Sequence, residues 1–160
     1  IISKTPEQSN PTEKKGMLSK LNLFANQTAY FSHIEYCKWK CINTNNELQE
    51  DETYSITLVT GIANAQPLVN HLQKAGHSIH HLEYPDHYKY TTKDIGNILA
   101  KYNADKSTKK LILTTEKDAT KLREFKKQFG TKNVYFAPIE VVLEQGERFE
   151  KQILDYVAKN

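Results

Sequence analysis

The chain has 160 residues, enough for one well-buried core with at most an appended piece, and too few for two full-sized domains. Lys and Arg exceed Asp and Glu by 22 to 19, a formal charge of +3 with both signs spread along the chain, which argues against the one-sided basic surface of a nucleic-acid binder. Two cysteines exclude a disulfide scaffold, no apolar run reaches bilayer length, and no signal peptide is visible.

Ile1-Ile2-Ser3-Lys4-Thr5-Pro6 reads as the inside of a β-branched strand rather than an initiator-methionine start, so an upstream part is expected. Asn10-Pro11-Thr12-Glu13 then carries a helix-start signature: Asn at the N-cap, Pro in the first turn and Glu three residues after the cap. It predicts a helix over 11–22 that buries Met17, Leu18 and Leu21. Thr28 to Ser32 reads as a strand, as do 35–42 and 54–60, the last two flanking the polar stretch Asn43 to Thr53 and expected to form a ribbon. Cys37 and Cys41 would share one strand face; their spacing matches no zinc or redox motif, and they read as packing or surface thiols in a reducing compartment.

From Tyr54 onward strands at 56–60, 79–84, 110–114 and 133–137 alternate with helices at 65–75, 92–103, 117–129 and 147–158. Short links between alternating elements predict an α/β fold, a mostly parallel sheet with helices on both faces. The helices carry apolar stripes, such as Ile95, Ile98 and Leu99 in the second and Phe149, Ile153, Tyr156 and Val157 in the last, all expected to be core.

The carboxyl ends of parallel strands line one crest, where α/β proteins bind ligands. Three segments fall there. In Thr60-Gly61-Ile62-Ala63-Asn64 the glycine allows a sharp turn or close ligand approach, and Asn64 can cap the next helix. Tyr84-Pro85-Asp86-His87 ends a strand with Pro85 and leaves a carboxylate and an imidazole on the crest. Neighbours in extended chain point to opposite sides, so Asp86 is not expected to orient His87 directly. Thr91 to Asp94 just beyond fits a capping box. Thr114-Thr115-Glu116-Lys117-Asp118 fits a capping box between Thr115 and Asp118, leaving Lys117 to hold a phosphate and Glu116 to accept from a hydroxyl. Taken singly, the first segment reads more readily as a turn, and the other two read equally as a turn or cap and as a site. The other histidines, His33, His71, His77, His80 and His81, show no metal-ligand spacing, no nucleophile elbow occurs, and neither does a G-x-x-x-x-G-K-[ST] phosphate loop.

In this order, the segments 59–64, 84–87 and 113–119, with Ile2-Ser3-Lys4-Thr5-Pro6 before them, resemble the tetraacyldisaccharide 4′-kinase family of lipid A synthesis, across essentially the whole chain as that family's carboxyl-terminal half. The resemblance implies a P-loop-kinase-like carboxyl lobe with a β-ribbon linker, divided as 1–34, a remnant of the amino-terminal lobe, 35–58, the linker, and 59–160, the carboxyl-terminal α/β lobe. It implies transfer of the γ-phosphate of ATP to the 4′-hydroxyl of a tetraacyldisaccharide 1-phosphate, with Mg²⁺, at the cytoplasmic face of the bacterial inner membrane. The nucleotide loop, the metal-binding acids and the membrane-docking helix are expected in the amino-terminal half, leaving this part inactive alone. No metal ligand, nucleic-acid partner or obligate protein partner is expected here.

By the same resemblance His87 is the catalytic residue that activates the acceptor hydroxyl, with Asp86 as its motif neighbour, and Thr60, Gly61, Thr115, Glu116, Lys117 and Asp118 lie near substrate or nucleotide. Tyr88 stands where the family commonly has a second His, Tyr90 where Phe is common and Ala65 where Pro is common. The opposing reading is a non-catalytic Rossmann-like binding or docking module whose crest segments are caps and turns.

Overall fold

The computed structural model describes residues 1–6, 9–48 and 52–159. The chain forms two compact units, one of Cys37–Pro138 and one of Ile1–Tyr36 with Ile139–Asn160.

In the unit of Cys37–Pro138 the expected alternation appears: β3 (Ser55–Thr60), α2 (Gln66–Lys74), β4 (Ser78–Glu83), α3 (Thr92–Ala104), β5 (Lys110–Thr115), α4 (Glu116–Leu122), a 3₁₀ turn at Arg123–Phe125, α5 (Lys126–Phe129) and β6 (Val134–Ala137). With the short β2 (Lys40–Cys41) these strands make a five-stranded sheet of order β2-β6-β5-β3-β4. All pairs are parallel except β2 with β6. The interior strand β3 is buried along its whole length, as a strand covered on both faces must be, while the edge strand β4 is only half-buried. Ile95 and Ile98 of α3, Leu122 of α4, Phe129 of α5 and Ile112 of β5 share one buried cluster with Val134 and Phe136. Of the three expected caps, those at Asn10/Glu13 and Thr91/Asp94 form as complete capping boxes.

Strand order fixes where a site can lie. The chain leaves β3 for β4 on one side, then crosses back over to β5 on the other. Chain exits from β3 and β5 therefore diverge, which is the topological switch point at which open α/β sheets bind ligands. The helix expected over 117–129 is broken into α4, the 3₁₀ turn and α5, ending at Gly130, whose φ of +59° suits glycine.

The other unit differs from expectation in three places: the strand expected over Thr28 to Ser32 begins only at Ser32, strand pairing changes, and the helices stay unburied. The ribbon expected between 35–42 and 54–60 does not form; instead β1 (Ser32–Tyr36) pairs antiparallel with β7 (Ile139–Leu143), a strand the sequence did not announce. The polar run after residue 42 frees 35–42 from β3, which takes two parallel neighbours and leaves no open edge. Gln49, Glu50 and Asp51 within that run lie outside the described residues. The helices α1 (Pro11–Ser19) and α6 (Gly146–Ala158) form, but neither contains a buried residue. Leu21 lies beyond α1 and is exposed, Ile153, Tyr156 and Val157 of the α6 stripe are largely exposed, and Phe149 packs edge-on against Tyr30. Tyr30 also donates to Gln152 Oε1 at 2.6 Å, and Lys14 pairs with Glu144.

Candidate functional site

The three crest segments converge at the switch point, within one compact unit. At the exit of β3, Thr60 is fully buried, and its Oγ1 shares a 2.8 Å hydrogen bond with His81 Nε2 on β4. Gly61 follows, and its N–H donates to Asp118 Oδ2 at 2.8 Å. Asp118 thereby departs from a plain capping box. Its backbone N–H donates to Thr115 Oγ1 at 3.1 Å, as a cap requires, and Thr115 Oγ1 donates to Asp118 Oδ2 at 2.7 Å. The carboxylate then reaches across to the neighbouring strand exit instead of back to its own N-cap backbone, closing the switch-point crevice between β3 and β5. Lys121 Nζ, 3.7 Å from Asp118 Oδ1, supplies the compensating charge a fully buried carboxylate needs.

This explains the glycine. A Cβ at position 61 would stand 3.1 Å from Asp118 Oδ1, 3.1 Å from the Tyr90 hydroxyl and 3.3 Å from Pro85 O, so the other two crest segments, with Tyr90 just beyond, press on this one backbone. Tyr90 is buried, and that burial, reinforced by the neighbouring Asp118 carboxylate, pushes the pKa of its hydroxyl well up. Sequence reasoning noted Tyr90 only as a departure from Phe. Its place just before the N-cap Thr91, with Ile95 in the second turn of α3, is the pattern of a hydrophobic staple and was the readable signal. Tyr84, Tyr88 and Tyr90 pack together with ring centroids 4.9–5.5 Å apart. Tyr88 also donates to Asp94 Oδ2 at 3.3 Å, which makes it a structural phenol at the start of α3. Asn64 does not cap α2, whose N-cap is Ala65, but its Oδ1 accepts from the Gln66 N–H at 3.1 Å.

The exit of β4 is a turn closed by Tyr88 N–H donating to Pro85 O at 3.1 Å. Its third residue, His87, has φ of +60°, the left-handed region that few side chains adopt. That reversal corrects the expectation drawn from extended chain. Asp86 and His87 fall on the same side, with Asp86 Oδ2 3.7 Å from His87 Nε2 and Asp86 Oδ1 accepting from the His87 backbone N–H at 2.9 Å. The imidazole is open to solvent, with its side chain 77% exposed. Lys117 donates to Asp86 Oδ1 at 3.0 Å, and this contact, before any other, holds the Asp86 carboxyl below the usual carboxylate range. Glu116 is exposed in the first turn of α4.

Chemically, this crest offers an exposed imidazole with a carboxylate beside it, which suits proton transfer to or from a ligand. It is poorly suited to cradling phosphates, because the Gly61 N–H and the Lys117 ammonium already have carboxylate partners. Among the described residues no group of three or more His, Cys, Asp and Glu side chains is placed to hold a metal ion. No helix among them is long and apolar enough to cross a membrane.

Comparison with known proteins agrees with this architecture. A crystal structure of LpxK from Aquifex aeolicus in complex with ATP matches 87% of this chain and 39% of its own, with a TM-score of 0.53 at 22% identity, a likeness of fold. Tetraacyldisaccharide 4′-kinase of Bacteroides thetaiotaomicron is 31% identical over all of this chain and 46% of its own length. The enzyme of the same name from Phocaeicola vulgatus is 30% identical with the same coverage, so the chain spans about half the length of the curated relatives it matches. The family model described as tetraacyldisaccharide-1-P 4′-kinase matches residues 1–158, and with these relatives it shows that the chain belongs to that kinase family.

Proposed function

We propose that this chain is the carboxyl-terminal part of a lipid A 4′-kinase that transfers the γ-phosphate of ATP to the 4′-hydroxyl of a tetraacyldisaccharide 1-phosphate. The observation that carries the reading is the exposed His87 imidazole, set beside Asp86 at the switch point. As the 4′-oxygen bonds to the γ-phosphorus, His87 takes the hydroxyl proton, and the bond from that phosphorus to the bridging oxygen breaks to release ADP. Phosphoryl transfer needs little more covalent work from a protein than this; the remainder is positioning and charge neutralisation.

The phosphate cradle and the Mg²⁺ ligands are assigned to polypeptide outside this sequence, in keeping with relatives about twice as long. In this reading the lobes divide at 34/35 and 58/59, the part described here is inactive by itself, and the complete enzyme works as a peripheral protein at the cytoplasmic face of the inner membrane on its lipid disaccharide. Thr60, Gly61, Thr115, Glu116, Lys117 and Asp118 lie near the reactants as the frame of the site rather than as phosphate ligands. His87→Ala in the complete enzyme is expected to lower turnover by about 10²–10⁴, the usual contribution of general acid–base catalysis. Wild-type turnover in that variant would overturn the assignment. It would favour instead a non-catalytic docking module, the reading supported by the commitment of Thr60, Gly61, Thr115 and Asp118 to cap and turn bonds.

A further inference from the structure

Lys117 occupies the second residue of α4, where the helix dipole favours an acid, as at Glu116 and Asp118 on either side. Nothing local rewards a cation there. Its partner is Asp86, 31 residues earlier in the chain, at 3.0 Å. The base of the lysine is held firmly, because Asp118 ties the start of α4 to Gly61 and Thr115. The turn it reaches needs holding, because His87 sits at φ of +60°, a conformation disfavoured by roughly 1 kcal/mol or more for a residue with a Cβ. Asp86 Oδ1 accepts both the Lys117 ammonium and the His87 backbone N–H, so one carboxylate oxygen joins the rigid helix start to the strained residue.

We propose that Lys117 is a positioning residue: its ammonium fixes Asp86 in the orientation that bonds the His87 N–H, and so aims the His87 imidazole at the acceptor hydroxyl instead of binding phosphate itself. The groups facing Asp86 are Lys117 from α4 and His87 from its own turn. The inference rests on the reading of His87 as the base, and its test separates the two.

In the complete enzyme, Lys117→Met is expected to lower kcat roughly three- to tenfold, with the KM for ATP within about twofold of wild type, the scale of a lost surface ion pair and a slightly misplaced group. Lys117→Arg, which keeps the charge and the reach, restores kcat. A raised KM for ATP with kcat unchanged would make Lys117 a phosphate ligand and overturn the proposal, as would no change in either constant. Independently of activity, an NMR titration of the Asp86 carboxyl carbon should show its midpoint rising in Lys117→Met, with the His87 amide resonance displaced. An unmoved midpoint overturns the link, whereas a moved midpoint beside a fully active His87→Ala variant leaves the link standing and removes only the base.

Discussion

Two helices of 13 residues each, α3 and α6, carry apolar stripes of the same kind, yet α3 buries Ile95 and Ile98 while α6 buries nothing. The difference lies outside both helices. α3 crosses back over β3 to reach β5, so its stripe meets a continuous sheet face, whereas the unit of α6 offers a two-stranded ribbon and the ring of Tyr30. An amphipathic stripe measures the capacity of a helix to bury surface, and burial itself needs a partner surface large enough to receive it. Exposed large apolar side chains tell the same story: Ile1, Leu23, Phe24, Val141, Leu154 and Val157 all belong to the unit of residues 1–36 and 139–160.

The two helices carry the same residue type in opposite surroundings. Ile98 is fully buried and Ile153 is 48% exposed. Ile98→Ala should cost about 2–5 kcal/mol, the range for emptying a packed core site, and Ile153→Ala should stay within about 0.5 kcal/mol. Urea unfolding of the two variants decides it, and equal losses would mean that α6 is packed as tightly as α3.

Next in size is Asp118→Ala. It strips the Gly61 N–H of its acceptor and leaves Lys121 facing an empty position, so a loss of about 3 kcal/mol is expected, measured as a lowered unfolding midpoint. A loss under about 0.5 kcal/mol would show that the crest segments hold together without this carboxylate.

The smallest effect is a pH dependence at the end of α3. Asp105 follows that helix, and a hydrogen bond with the Ser55 side chain, followed by bonds from Ser107, pulls its pKa down to about 2. A folded-state pKa below the unfolded value of about 3.9 contributes stability that is present above about pH 4 and is lost as pH falls through about 2. Asp105→Asn should flatten the stability profile across that window, read from urea midpoints at several pH values; an unchanged slope there would assign the acid sensitivity to other carboxyls.

Much of the dense unit was legible in the chain because its signals are short-range. Strand and helix alternation from residue 55, the Thr91 cap, and the placing of three motifs on one crest all depend on periods and spacings of a few residues. The candidate site was half legible. That Asp86, His87 and Lys117 would share a locality could be read from the parallel topology, but that Asp86 would lie beside His87 could not, because it depends on one left-handed residue. Asp118 looked like an ordinary cap for the same reason: its spacing from Thr115 is local, and its bond to Gly61 spans 57 residues.

Within Cys37–Pro138 the sequence by itself therefore determined where most strands and helices lie and which residue types gather at the strand ends. Tertiary structure alone decided that β1 takes β7 as its partner, that the Asp118 carboxylate closes the switch point, and that the stripe of α6 remains in solvent. The reason is physical: periodicity and capping are settled among near neighbours, whereas pairing and burial depend on which distant surface arrives first to satisfy a backbone edge, a charge or an apolar face.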